Sequence, residues 1–262
     1  MTYQTIKLEI ESGVALLTLN RPDVLNSYSG AMLGELKQAV ESLPGLGARA
    51  LLITGSGRAF CAGADLSGEM PKDAAGNLDL GKALDESYHP FIQALRALPM
   101  PSIAAVNGAA AGAGASLALT CDLAIAGRSA YFLQAFCNIG LVPDAGSTYF
   151  LPRAAGSARA MGLAMLGERL PAEKAEAWGL IWKCVDDDKL MAEARAIAAK
   201  LAAGPTKGLA LIKRALQASP GNDLAAQLAL ERDSQRQAGR SRDFVEGVAA
   251  FFQKRPPKFT GQ

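Results

Sequence analysis

One histidine, His89, is all that this 262-residue chain contains. That scarcity excludes metal centres built on several imidazoles, and no Cys/His cluster has ligand spacing, so no metal is expected. It also leaves any Ser-His or Cys-His nucleophile dependent on His89 alone. The four cysteines, Cys61, Cys121, Cys137 and Cys184, show no paired short spacing. With no apolar signal core in the N-terminal stretch MTYQTIKLEIESG, a reduced, cytoplasmic setting is expected rather than a disulfide framework. A P-loop is missing, and Gly112-Ala113-Gly114 lacks the third glycine of a dinucleotide fingerprint, so no cofactor is expected. A formal net charge of +2 with no basic run gives no reason to expect nucleic acid. An uncharged stretch between Arg96 and Asp122 is long enough to cross a bilayer. Pro99, Pro101, Asn107 and repeated glycine break it, so it reads as buried strand, turn and buried helix, with no membrane span.

What is present is apolar patterning. Half of the residues are hydrophobic and a fifth are charged, enough for a substantial core. Val14–Asn20, Ala50–Thr54, Ser102–Val106 and Asp122–Ala126 are short apolar runs bounded by turn residues, which predicts buried strands. Ala31–Leu43 carries Met32, Leu33, Leu36, Ala39, Val40 and Leu43 at helical spacing, and Gly81–Leu98 is a second helical segment. Strands alternating with helices imply an α/β class. Beyond Val185 the texture becomes helical, over Leu190–Ala203, Thr206–Gln217, Asp223–Gln237 and Arg242–Lys254. The polar tail RPPKFTGQ is expected either to fray or to reach a neighbouring subunit.

Three segments carry candidate chemistry. Gly57-Arg58-Ala59-Phe60-Cys61-Ala62-Gly63-Ala64-Asp65-Leu66 follows an apolar strand, and its small residues allow a ligand close to the backbone. Asn107–Gly114 is a glycine-rich turn that opens a helix, where free N–H groups face outward. Ile139–Thr148 carries a single carboxylate, Asp144, just before another predicted helix. Two backbone donors and one carboxylate suit a thioester whose α-carbon must lose a proton, because negative charge then develops on the thioester oxygen. Each segment alone reads as structural, and Pro143-Asp144 alone reads as a helix N-cap.

LNRPDVLNS, GRAFCAGADL, AAVNGAAAGAGASLALTCD, LVPDAGST, RAMGLAMLGERLPAEKAEAWGL and EGVAAFFQKRPPKF together resemble the crotonase, or enoyl-CoA hydratase/isomerase, superfamily. The resemblance runs from about Leu8 to Phe259. It implies a spiral of ββα turns over residues 1–203 and an α-helical trimerisation region over residues 204–262. It also implies an acyl-CoA substrate, coenzyme A being part of that substrate and no separate cofactor, and a homotrimer or dimer of trimers. The backbone N–H groups of Ala64 and Ala113 correspond to the oxyanion hole. Ala62, Asp65, Leu66 and Lys258 are expected to touch coenzyme A, with Arg21 a further candidate for its phosphates. Phe136, Ser116 and Asn138 are expected in the acyl pocket.

Departures from the family pattern direct the reaction. The two glutamates that hydratases of this superfamily use fall on Ser116 and Phe136. Adding water across a double bond wants an acid and a base together. A lone Asp144 fits proton transfer between carbons, helped by an apolar setting from Phe132, Phe136, Ile139 and Leu141 that raises its pKa. Within the superfamily, the segments from LVPDAGST to WKCVDDD and from LERDSQRQAG to the C-terminus are similar to the ring-1,2-epoxyphenylacetyl-CoA isomerase branch. That branch implies conversion of a ring epoxide to an oxepin and a shift of a 3,4 double bond to 2,3. Two alternatives stay open. A dehalogenase branch pairs an Asp at this loop with a His near His89, though with a Trp where Phe136 stands. A non-catalytic homologue would bind acyl-CoA or RNA without turnover.

Overall fold

The computed structural model describes residues 2–68 and 71–262. Met1, the first residue of the strand-like N-terminal stretch, lies outside them. In chain order the elements are β1 (Ile6–Glu11), β2 (Val14–Leu19), α1 (Gly30–Ser42), β3 (Ala50–Gly55), β4 (Ala59–Cys61), α2 (Leu80–Ala83), α3 (His89–Ala97), β5 (Ser102–Val106), β6 (Ala109–Ala111) and α4 (Ala113–Thr120). There follow β7 (Leu123–Gly127), β8 (Tyr131–Leu133), α5 (Ser147–Ala155), α6 (Ser157–Leu166), β9 (Arg169–Pro171), α7 (Ala172–Ala177), β10 (Lys183–Val185), α8 (Leu190–Ala202), α9 (Thr206–Ala218), α10 (Leu224–Ala238) and α11 (Arg242–Phe252).

From β3 to β8 successive strands are dealt alternately to two sheets. One runs β1-β2-β3-β5-β7-β10 and the other β4-β6-β8-β9. Each pass along β3-β4, β5-β6 and β7-β8 adds one strand to each sheet and then a helix, which is the ββα spiral. Pairing along both sheets is parallel except for β1 with β2 and β8 with β9. The sequence reading saw the long strands of the first sheet. It missed the second sheet, whose strands are three residues each and carry too little pattern to stand out.

Alternation explains why β3 and β5 are buried on both faces. Leu51, Ile53, Ala104 and Val106 face the larger core beneath α1, α3 and α4. Leu52, Ile103 and Ala105 face a smaller core closed by Leu190, Ala194 and Ala198 of α8. The helical segment expected over Gly81–Leu98 is real but interrupted: Leu84–Tyr88 is a π-helical turn between α2 and α3. Such a turn inserts one extra residue and re-aims the side chains after it.

The C-terminal helices are tied to the core by buried polar contacts. Lys213 of α9 sits 2.9 Å from Asp122 and donates to the carbonyls of Leu95 and Met100. The tail is anchored rather than frayed within this chain. Arg49 donates to the carbonyls of Gly204 and Phe259, and buried Asp243 accepts from the N–H groups of Thr260 and Gly261. Its polarity satisfies these donors and acceptors instead of water. Among the described residues no helix is long and apolar enough to cross a membrane, and no three metal-ligating side chains cluster.

Candidate active site

The LNRPDVLNS motif supports the first loop. Leu25 and Asn26 both adopt left-handed backbone (φ 55° and 57°), a conformation that Asn tolerates better than most residues. Asn26 is fully buried; its amide donates to the carbonyls of Ser56 and Ala59, and its oxygen accepts from the Arg21 N–H. The Leu25 carbonyl, so placed, accepts from the Ala62 N–H at 3.0 Å. Sequence reasoning missed Asn26, although Asn in a turn was the available signal.

Two residues on, Tyr28 bridges Ala64 in parallel fashion. The Tyr28 N–H donates to the Gly63 carbonyl at 2.7 Å, and the Asp65 N–H donates to the Tyr28 carbonyl at 2.9 Å. In such a bridge the intervening residue turns its own N–H and C=O to the opposite side. Ala64 therefore directs its N–H away from Tyr28, and among the described residues it meets no acceptor.

Gly112 opens α4 with φ 52° and ψ −128°, a backbone that glycine adopts readily. Its N–H is taken by Leu133, and its carbonyl accepts from Ala115 and Ser116. Ala113 begins the helix, and its N–H has no acceptor among the described residues, as the first-turn position dictates. The two loops touch. A methyl group built on Gly63 (φ 94°) would stand 2.9 Å from the Ala111 carbonyl oxygen and 3.5 Å from the Ala113 nitrogen. The Phe136 ring, itself buried, packs at van der Waals distance over Gly112.

The third loop meets α4 through Asp144, whose backbone carbonyl accepts from the Ser116 hydroxyl at 3.1 Å. Asp144 does not cap α5: the helix N-cap is Gly146, and only the Asp144 backbone carbonyl serves the first turn, accepting from Ser147 at 2.9 Å. The carboxyl Oδ1 is buried and has no hydrogen-bond partner. An unpartnered buried carboxylate oxygen is costly and marks a group kept for a ligand or a proton. Burial pushes the Asp144 pKa up to about 6, with the His89 charge opposing the shift. The apolar setting differs from expectation. Phe132 and Phe136 are buried, but Ile139 and Leu141 point to solvent, since their short 3-10 turn and the loop after it leave them off the core.

The π-helical turn brings Tyr88 and His89 to the same region. Tyr88 stacks edge-on against Tyr28 at 5.8 Å, and burial together with the Asp144 charge holds its hydroxyl well above the usual phenol range. His89 Nδ1 lies 3.1 Å from Asp85, both side chains being largely exposed. The Cys61 thiol beside Tyr28 is pushed by burial up to about 12, so it is no thiolate nucleophile.

Other expected contacts fall differently. Ser116 is fully buried and presents no surface to an acyl group; its hydroxyl is engaged inside the protein. Asn138 is exposed and donates to the Gly167 carbonyl at the end of α6. Its side chain is drawn there because Gly167, in left-handed backbone, leaves room beside it. Asp65 is bound by the Ser67 hydroxyl and N–H and by Arg21 at 2.8 Å, which together pull its pKa down to about 2. Both Arg21 and Asp65 are thereby committed to the loop that presents Ala64. Ala62 is half-buried, and Leu66 is exposed at the rim. The Lys258 N–H donates to Glu246 of α11, which ties that stretch of backbone to the C-terminal helices.

A profile of the enoyl-CoA hydratase/isomerase family matches residues 9–262. The chain belongs to the enoyl-CoA hydratase/isomerase family. Over its whole length it is 52% identical to a probable enoyl-CoA hydratase of Rhodobacter capsulatus, covering 100% of both chains. It is 51% identical to the 1,2-epoxyphenylacetyl-CoA isomerase of Escherichia coli over 97% of each chain. A crystal structure of an enoyl-CoA hydratase subunit from Geobacillus kaustophilus superposes with a TM-score of 0.91 at 36% identity, covering 99% of each chain. The crotonase-like spiral with its helical C-terminus is thus the fold of this enzyme family. Relatives of near-equal similarity carry hydratase and isomerase names, so the site chemistry has to separate the two reactions.

Proposed function

We propose that this enzyme is an acyl-CoA isomerase, converting 2-(1,2-epoxy-1,2-dihydrophenyl)acetyl-CoA to its oxepin and moving a 3,4 double bond to 2,3 in enoyl-CoA substrates. The observation that carries this reading is the single unpartnered carboxylate of Asp144. Among the described residues His89 is the charged group whose field lowers its pKa, and no second carboxylate contributes. Hydration needs paired acid and base, and the two places where hydratases keep glutamate hold Ser116 and Phe136. The likeness to the Escherichia coli 1,2-epoxyphenylacetyl-CoA isomerase supports the ring epoxide as substrate.

In this mechanism Asp144 removes a proton from the carbon next to the thioester. The electrons move onto the thioester oxygen, which the N–H groups of Ala64 and Ala113 stabilise; each such donor contributes about 3 kcal/mol in comparable sites. With a 3-enoyl substrate, Asp144 returns the proton to C4 and leaves the 2,3 double bond. With the epoxide, the C–C bond between the two epoxide carbons breaks to give the seven-membered ring, and the proton that Asp144 took from the carbon next to the thioester returns to a ring carbon, at unchanged composition. Neither path needs a metal or a cofactor beyond the coenzyme A of the substrate. Ala62, Leu66 and Lys258 line the coenzyme A path in this reading, Lys258 from a neighbouring subunit, and Phe136 bounds the acyl pocket.

The oligomer in this reading is a homotrimer or a dimer of trimers, supported by exposed apolar side chains along α9–α11. Four free cysteines support a reducing, cytoplasmic setting. One observation favours a second reading: His89 lies within the field of Asp144, as the dehalogenase pairing requires.

Incubation of the protein and its Asp144→Asn variant with a 3-enoyl-CoA tests the proposal. The expected product is a 2-enoyl-CoA of unchanged mass, abolished in the variant. A product heavier by one water overturns isomerisation in favour of hydration. Chloride release from 4-chlorobenzoyl-CoA, with no 2-enoyl product, overturns it in favour of dehalogenation.

A further inference from the structure

We infer that Ser116 is a positioning residue that fixes Asp144 relative to the oxyanion hole, through a directed hydroxyl chain Ser147→Ser116→Asp144. The inference rests on Asp144 acting as the proton-transfer group. Its starting point is that nothing holds the carboxylate itself. Oδ1 has no partner, and no hydrogen bond to the side chain exists among the described residues. The placement of Asp144 must come from its backbone.

That backbone is strained. Ala145 (φ 49°) and Gly146 (φ 88°) are consecutive left-handed residues, and an L side chain such as Ala145 resists that conformation. The restraints that keep the turn closed converge on the Asp144 carbonyl. It accepts from the Ser147 N–H at 2.9 Å and from the Ser116 hydroxyl at 3.1 Å. Ser116 and Ser147 Oγ atoms are 2.5 Å apart, and both residues are fully buried. A hydroxyl has one proton to donate. If Ser116 gives its proton to the Asp144 carbonyl, the short contact must be Ser147 donating to Ser116. The Gly112 carbonyl, 3.3 Å away, is the weaker claimant on the Ser116 proton.

Ser116 lies three residues after Ala113 on α4, one turn along the same face. A single rigid turn therefore carries an oxyanion donor at one end and the anchor of the base loop at the other. The polar residue that replaces a catalytic glutamate here works on the backbone of the remaining acid rather than on substrate. Among the described residues the titratable groups whose charge interacts with the Asp144 carboxyl are His89 and Tyr88 from the α2–α3 segment, and the hydrogen bonds of Ser116 go to neither.

The test is steady-state kinetics on a 3-enoyl-CoA with Ser116→Ala, Ser147→Ala, the double variant and Asp144→Asn. Ser116→Ala is expected to lower kcat about tenfold to a hundredfold, the penalty of a small misplacement, while KM stays within about twofold. The midpoint of its kcat–pH profile is expected to fall from about 6 towards the ordinary carboxylate range, as the loop opens to water. The double variant is expected to be no worse than Ser116→Ala, because the two hydroxyls act in series. Unchanged kcat in Ser116→Ala overturns the inference, as does a loss with KM raised in parallel and an unshifted pH profile. If Ser116→Ala does not fold, Ser147→Ala decides: reduced kcat at constant KM supports the chain, and unchanged kcat overturns it. Turnover retained in Asp144→Asn would instead sink the proposed function.

Discussion

In the proposed mechanism Asp144 concentrates the chemistry in one side chain whose charge the fold disfavours. As a base it must be ionised, and burial places its pKa at about 6. Activity on a 3-enoyl-CoA should therefore rise with pH through about 6 and then level, measured as kcat between pH 4.5 and 8. The same shift has a stability consequence of fixed sign. A carboxyl whose folded pKa lies above its unfolded value of 3.8 contributes stability fully below that value and loses it as pH rises through about 6. Asp144→Asn, neutral at every pH, should thus melt higher than the parent protein at pH 8, with the gap closing towards pH 4. Thermal melts at both pH values check this, and a lower melting temperature at pH 8 would contradict the burial argument. Asp65 behaves oppositely: Ser67 and Arg21 stabilise its charge, so its contribution is present above pH 4 and is lost only as pH falls through about 2.

At the scale of elements, α4 is the hinge of the arrangement. It packs so closely on β4 that a methyl group on Gly114 would stand 2.1 Å from the Cys61 carbonyl oxygen. Gly114→Ala must push helix and strand apart, at a cost of about 3 kcal/mol, the upper end for overpacking. Because Ala113 and the loop carrying Ala64 sit on the two displaced elements, kcat should fall along with the melting temperature. A variant that keeps both would contradict the close approach. The π-helical turn at Leu84–Tyr88 is the second element that matters, since it delivers Tyr88 and His89 towards Asp144. An uninterrupted α-helix would rotate those side chains by about 100°.

For the whole molecule, the C-terminal helices show both a buried and an unsatisfied face. Lys213, Arg49 and Asp243 tie them to the core of their own chain. Phe251 and Phe252, each 78% exposed, together with Val245, Leu224 and Leu228, remain outside. Exposed apolar patches of that kind mark contact surfaces. Sedimentation should show a trimer or hexamer, and Phe251→Ser combined with Phe252→Ser should shift it towards monomer.

The sequence by itself determined the long strands of the first sheet and the helical C-terminus, because these are repeated local patterns of apolar residues, and its motifs carried the resemblance to the family. It also singled out Asp144, whose neighbours are small residues and turns. Tertiary structure alone decided what surrounds those residues. The three-residue strands of the second sheet exist because distant backbone groups satisfy them, and no local pattern encodes such a partner. Asn138 and Ser116 show the same limit. As letters they looked like pocket residues; their hydrogen bonds, to Gly167 and to Asp144, are made across 29 and 28 positions of chain. Contacts of that span are set by packing; for Ser116, fully buried, they supply the partners that let a polar side chain sit in a core, while Asn138 stays exposed.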